Sequence, residues 1–146
     1  MSQAWEGYGV RVVREPQLPF LKPAIDGPAG AVEILRRQLP LEDREVFVAV
    51  LMDTRNQVLG INTVSIGSLS TSIVHPREVF KAAILMGAAN IILAHNHPSG
   101  DPSPSKEDIE ITRRLAKAGE ILGIQVLDHL ILTPSGHISF KEKGLL

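Results

Sequence analysis

The sequence of 146 residues contains no cysteine, and this absence removes several classes of protein. Without cysteine there can be no disulfide bonds, no cysteine-ligated zinc finger and no catalytic thiolate. The sequence shows no secretory leader either. We therefore expect a cytoplasmic protein.

Long apolar runs are missing as well. The longest mostly apolar stretch, Ala82 to Ala94, is interrupted by Gly87 and Asn90 and is too short to cross a bilayer. No association with a membrane is expected.

The sequence has no excess of positive charge. Its formal net charge is −1, which provides no overall attraction for nucleic acid or for an anionic membrane surface. The basic clusters are small, Arg36-Arg37 and Arg113-Arg114, and each is most simply explained as a solvated helix face. DNA association is thus possible but is not supported by charge.

The composition that remains, 44% apolar and 21% charged, is that of one globular domain. Residues 1–27, with scattered prolines, are predicted to form an extended N-terminal arm, and residues 28–146 the domain. Within it, hydrophobic periodicity predicts the order α-β-β-α-β-α-β-β. Helices are expected at Pro28–Leu39, Pro76–Ala88 and Ser105–Leu122, and strands at Glu45–Met52, Val58–Ile66, Asn90–His95, Ile124–Thr133 and His137–Lys141. This order predicts an α/β fold in which helices flank a mixed β-sheet.

One stretch, IILAHNHPSGDPSPSKED from Ile91 to Asp108, carries the strongest chemical signal. Its apolar start predicts a buried strand, and residues two apart on a strand point to the same face, so His95 and His97 project together. Asp108 lies one turn into the following helix, from which its carboxylate can turn back toward them. Two imidazoles and one carboxylate, with water in the fourth position, are the ligands of an open catalytic zinc site. We therefore predict a zinc ion at these three residues.

Ser105 and Asp108 also fit a second interpretation. Ser-x-x-acid at the start of a helix is a capping pattern, in which the two side chains satisfy the first backbone amides. Both interpretations can hold together if the backbone of Ser105 starts the helix while its hydroxyl faces a substrate.

Two further sets of residues are candidates for the site. A metal-activated water needs a general base, and the H-E-x-x-H pattern that supplies one from a single helix is absent. Glu45 at the start of a strand is the candidate, and a solvated loop is the alternative. Asp128 shares its predicted face with Val126 and Leu130, so it needs a partner if that face is buried. That partner is a ligand histidine, a backbone amide or an arginine.

Taken together, His95-x-His97-Pro98 followed by Ser105-x-x-Asp108 resembles the metal motif of the JAB/MPN (JAMM) metalloproteases. The longer run HNHPSGDPSPSKED, with VHPREVF before it and VLDHLIL after it, resembles the RadC branch of that superfamily. The resemblance covers roughly residues 39–146. It implies a JAB/MPN fold of the cytidine-deaminase-like type.

The resemblance also implies roles for the candidate residues. His95, His97 and Asp108 match the zinc ligands, and Glu45 matches the glutamate that polarises the zinc-bound water. Ser105 matches the serine that stabilises the oxyanion of a tetrahedral intermediate. The implied function is a zinc-dependent metallohydrolase that cleaves a peptide or isopeptide bond in a peptide or protein substrate.

Two alternative functions are weighed against this one. The RadC branch carries a DNA-repair description, which suggests a DNA-associated factor. Longer RadC-type proteins place a helix-hairpin-helix segment ahead of this domain, and the residues before Glu45 lack its Gly-rich hairpins. A non-catalytic binding scaffold is the other alternative, although all motif residues are present. A zinc nucleobase deaminase shares the implied fold but requires P-C-x-x-C, which a chain without cysteine lacks.

Overall fold

The computed structural model describes residues 24–39, 43–67 and 74–146, and its elements follow the predicted order. The helices and strands are α1 (Pro28–Gln38), β1 (Val46–Met52), β2 (Val58–Ile66), α2 (Pro76–Met86), β3 (Asn90–Asn96), α3 (Lys106–Leu122), β4 (Gln125–Thr133) and β5 (Gly136–Ser139). Each bound lies within two residues of the predicted one, since the periodic patterns extend almost to the ends of the elements. Of the predicted arm, residues 1–23 fall outside the described part.

The strands form one five-stranded sheet in the order β2-β1-β3-β4-β5. The pair β3–β4 is parallel and is connected through α3, while the other neighbours are antiparallel. The predicted fold class is confirmed: the chain forms a single-domain α/β structure in which helices flank a mixed β-sheet. No helix in the described part of the chain is both long and apolar enough to cross a membrane.

Helices cover the sheet on both faces. Buried side chains on the face beneath α2 and α3 are Phe47, Ala49, Leu51, Ile91, Leu93 and Val126 of the sheet, with Val79, Phe80, Ala83, Ile111 and Leu115 of the helices. Buried side chains on the face beneath α1 are Val48, Val50, Met52, Ile92, Ala94, Leu130 and Leu132, with Ala31, Val32 and Leu35. Because side chains alternate along β3, His95 continues the series that faces α2 and α3.

A β-bulge in β4 overturns one prediction. Ile91 pairs with Val126 but Ile92 pairs with Asp128, so Leu127 is an extra residue in β4. A bulge reverses the alternation of side chains beyond it. Asp128 therefore does not share a face with Val126, and His129 instead points to the side of α2 and α3.

One smaller prediction also needs correction. Arg36 is not a solvated side chain: its guanidinium donates to the carbonyls of Thr133 (2.9 Å) and Gly136 (3.0 Å) and so ties α1 to the β4–β5 turn.

Candidate metal centre

The predicted ligands meet where β3 ends and α3 begins. His95 is the penultimate residue of β3 and is fully buried, with its backbone paired to Phe47 of β1 on one side and Ile131 of β4 on the other. The amide of His97 donates to the carbonyl of Leu132 (2.9 Å), which keeps the chain aligned for one residue beyond the strand. A crevice at the carboxyl ends of parallel strands is the usual place for a site in an α/β sheet.

The loop after β3 fixes the ring of His97. Its Nδ1 lies 2.8 Å from the carbonyl oxygen of Asp101. The loop closes through Gly100, whose amide donates to the carbonyl of His97 (3.1 Å) and whose φ of 86° lies in the left-handed region that favours glycine. The Nε2 atom of His97 is thereby directed toward the start of α3.

The start of α3 fixes Asp108 through a capping box. The hydroxyl of Ser105 accepts from the amide of Asp108 (3.0 Å), and the carboxylate of Asp108 accepts from the amide of Ser105 (2.8 Å). The capping interpretation is confirmed. The same box turns the carboxylate back toward β3, so the cap and the predicted ligand role are compatible.

Three atoms converge in this way on one point. His95 Nε2 lies 3.0 Å from His97 Nε2 and 3.3 Å from Asp108 Oδ1, and His97 Nε2 lies 3.3 Å from Asp108 Oδ2. A tetrahedral zinc ion with bonds of about 2.0–2.1 Å separates its ligand atoms by about 3.3 Å. The donor set and its spacing therefore fit a metal ion, and these three residues form a group that could hold one.

The hydrogen-bond partners of His97 determine which of its nitrogens carries the proton. A carbonyl oxygen only accepts, so Nδ1 of His97 donates to Asp101. In the neutral ring, Nε2 then has a lone pair and no proton. This lone pair faces the metal site.

The same reasoning reaches His95 through two further residues. The hydroxyl of Thr112 donates to the carbonyl of Asp108 (2.7 Å), so its oxygen must accept from Nδ1 of His129. Neutral His129 then accepts at Nε2 from Nδ1 of His95 (2.7 Å). The Nε2 atom of His95 therefore also presents a lone pair to the site.

His129 is held in an apolar surrounding that keeps it neutral. It is fully buried, with the ring of Phe140 stacked on it at 4.6 Å and the ring of Phe47 at its edge at 5.5 Å. Burial in this apolar surrounding holds the pKa of His129 well below its ordinary value.

Opposing influences act on the pKa of Asp108. Burial works to raise it, but the adjacent imidazole of His95 and the hydrogen bonds of Ser105 outweigh burial and lower the pKa. The carboxylate is therefore ionised at neutral pH and supplies the one negative charge among the three donors.

Glu45, the predicted general base, lies immediately before β1 and is half-buried. It is two residues from Phe47, whose ring stacks on His95 with centroids 5.9 Å apart. The backbone of Glu45 is fixed, since its carbonyl accepts from the amide of Gly67 (2.8 Å). Its role as a base stays a prediction.

Asp128 does not contact a ligand histidine. Its carboxylate accepts from the amides of His129 (2.7 Å) and Lys141 (3.0 Å) and from the hydroxyl of Ser139 (2.6 Å). Of the partners considered for it, the backbone amide is the correct one. It ties β4 to the segment that carries Phe140.

Sequence reasoning missed the contributions of Thr112, His129 and Asn96. The position of Thr112 could have been predicted, because it follows Asp108 by four residues on one helix and so lies on the same face. The position of His129 could not, because its orientation depends on the bulge at Leu127. Asn96 stands between the two predicted ligands and uses its side-chain amide to bond the backbone of Arg44 and Val46.

Comparison with known proteins gives one family. Residues 25–145 match the family described as RadC-like JAB domain. A UPF0758 protein of Desulfitobacterium hafniense is 51% identical over 128 residues, which cover 88% of this chain and 56% of that protein. A UPF0758 protein of Moorella thermoacetica is 57% identical over 122 residues, 84% of this chain and 53% of that protein. The chain spans about half the length of the curated relatives that it matches.

Proposed function

This chain belongs to the RadC-like JAB domain family, and from that premise we propose that it is a zinc-dependent metallohydrolase that cleaves peptide or isopeptide bonds. The substrate is a peptide or a protein segment. Because the chain matches only about half of each relative, the proposal concerns the activity of this domain.

One observation carries the proposal. Two imidazole lone pairs and one carboxylate lie within 3.0–3.3 Å of one another at the carboxyl end of the central strand β3. A cation held between three electron-pair donors at this spacing is stabilised by all three. The set of two histidines and one carboxylate is typical of catalytic zinc sites that leave the fourth position to water.

The residues around this point are suited to hydrolysis of an amide. When bound, zinc would supply a Lewis acid that lowers the pKa of water and polarises a carbonyl group. Glu45 would accept the proton of the attacking water and pass it to the leaving amine. The hydroxyl of Ser105 accepts from the amide of Asp108, which leaves its own proton to be donated to the oxyanion of the intermediate.

The experiment is a hydrolysis screen with zinc-loaded protein, using quenched fluorescent peptides and lysine-linked isopeptides. We expect cleavage that is lost after chelation and restored by zinc. Glu45→Gln is the matched control, expected to retain zinc but to cleave about 10²- to 10⁴-fold more slowly. Equal cleavage by chelated and zinc-loaded protein would contradict the proposal.

Two results would favour the alternatives instead. Zinc binding without cleavage of any amide would favour a non-catalytic scaffold. Binding to DNA that weakens steeply with salt would favour a DNA-associated factor.

A further inference from the structure

We propose that His129 and Thr112 are positioning residues of the metal centre, and that they set the tautomer of His95 and with it the affinity for the metal. This inference rests on the proposed metal site and adds to it two residues that bind no metal themselves.

The proposal begins with an unbroken chain of three hydrogen bonds between two ligand residues. His95 Nδ1 donates to His129, His129 Nδ1 donates to Thr112, and the Thr112 hydroxyl donates to the carbonyl of Asp108. The direction of every bond follows from the last acceptor, because a carbonyl oxygen cannot donate. The chain thus holds the proton of His95 on Nδ1, on the side away from the metal.

The surrounding structure fixes this chain in place. The bulge at Leu127 turns His129 to the side of the metal site. The rings of Phe47 and Phe140 then hold the imidazole from two directions. Thr112 is fully buried, so water does not replace its hydroxyl as the acceptor.

The chemical consequence comes from the charge of the partner. Metal-bound histidines commonly donate to a carboxylate or a carbonyl, which fixes the ring and raises its basicity. Here the partner of His95 is a neutral imidazole. Of the four residues linked by these hydrogen bonds, Asp108 alone is therefore negatively charged. A divalent ion held by these residues would keep a net positive charge, which would favour polarisation of a carbonyl.

Replacing one hydroxyl tests the proposal. In Thr112→Val the hydroxyl becomes a methyl group of similar volume, so Nδ1 of His129 loses its acceptor. The ring of His129 is then expected to reverse its tautomer, and His95 must carry its proton on Nε2, where it opposes metal binding. Thr112→Ser keeps the hydroxyl and is expected to behave as the wild type.

Two measurements read this out without any hydrolysis assay. Competition with a chelating dye gives the dissociation constant for zinc, and we expect Thr112→Val to raise it about 10- to 100-fold. Nitrogen-15 NMR of the metal-free protein, at a pH of about 8 where imidazoles are neutral, reports the tautomer of each histidine. We expect the proton of His95 on Nδ1 in the wild type and in Thr112→Ser, and on Nε2 in Thr112→Val.

The control is Thr133→Val, the same change at another buried threonine, whose hydroxyl donates to Gly136 in the β4–β5 turn (3.2 Å). Its affinity for zinc should equal that of the wild type.

Two results would overturn the proposal. One is a zinc dissociation constant of Thr112→Val within about twofold of the wild-type value, and the other is a wild-type His95 that carries its proton on Nε2. If Thr112→Val does not fold, the His95 tautomer measured by NMR in the wild type and in Thr112→Ser tests the proposal instead. If the wild type binds no zinc, the proposed function fails. The NMR measurement of the His95 tautomer in the metal-free protein still tests the hydrogen bonds among His95, His129 and Thr112.

Discussion

The side chain of Asn96 holds the backbone on both sides of Glu45. Its amide nitrogen donates to the carbonyl of Arg44 (2.8 Å), and its oxygen accepts from the amide of Val46 (2.6 Å). The regular pairing of β1 with β3 ends at Phe47 and His95, so the Asn96 amide takes the place of the next backbone pair. The strand that carries the histidines is thereby joined to the segment that carries the predicted base.

Asn96→Ala should destabilise the protein and loosen this segment. Both hydrogen bonds are lost, and the amide of Val46 is left without its partner, so we expect a loss of about 2–3 kcal/mol in the free energy of unfolding. Urea denaturation measures it. Asn90→Ala is the control at the other end of β3, where one half-buried amide donates to Asn56 (3.0 Å), and a loss of about 1 kcal/mol or less is expected. Equal losses in the two variants would contradict the joining role of Asn96.

Ser105 should have two separable functions. Ser105→Ala removes the side-chain cap of α3 and should lower stability by about 1 kcal/mol. Ser105→Asp restores an acceptor for the amide of Asp108 and should recover that stability, but an ionised carboxylate cannot donate to an oxyanion. Ser105→Thr keeps both properties. Once a substrate is found, cleavage should fall about 10²- to 10³-fold in the Ala and Asp variants and persist in the Thr variant. If Ser105→Asp cleaves as fast as the wild type once its stability is recovered, Ser105 acts only as a helix cap.

Arg36 and Arg37 are neighbours with different expected contributions. Arg36→Met removes two hydrogen bonds to the carbonyls of Thr133 and Gly136 and should cost about 2 kcal/mol. Among the described residues, Arg37 pairs with Glu33 on the surface, where their side chains are 74% and 65% exposed, so Arg37→Met should change stability by less than about 0.5 kcal/mol. Thermal or urea denaturation of the two variants checks the difference. A larger effect at Arg37 would contradict the role assigned to Arg36.

The elements of the fold were predictable because each has a clear local signal. Pro28 and Pro76 each lie in the first turn of a helix, and Ser105 caps α3. The strands are long β-prone runs, so their existence and order follow from local sequence. Local patterns do not predict the extra residue at Leu127, since a bulge depends on pairing with a strand that is distant in sequence.

The grouping of the three predicted ligands could be read from the sequence, but the residues that position them could not. His95, His97 and Asp108 fall within one short motif whose spacing already places them on one strand end and one helix start. The partners of His95 come instead from α3 and β4, and their contact depends on how these elements pack. Strict alternation along β4 predicted that Asp128 is the buried polar residue near the site. Because of the bulge, the side chain of His129 lies there instead.

The measurement that tests the central claim most directly is the metal content of the purified protein, compared with that of Asp108→Asn. Asparagine keeps an oxygen to accept from the amide of Ser105, so the cap is retained while the negative donor is lost. Asp53→Asn, in the turn between β1 and β2, is the control, because its side-chain oxygen still accepts from the amides of Arg55 and Gln57. We predict about one zinc per chain in the wild type and in Asp53→Asn, and a sharp loss in Asp108→Asn. No zinc in the wild type after zinc is added back, or equal zinc in Asp108→Asn, would contradict the metal centre and leave Ser105 and Asp108 as a helix cap alone.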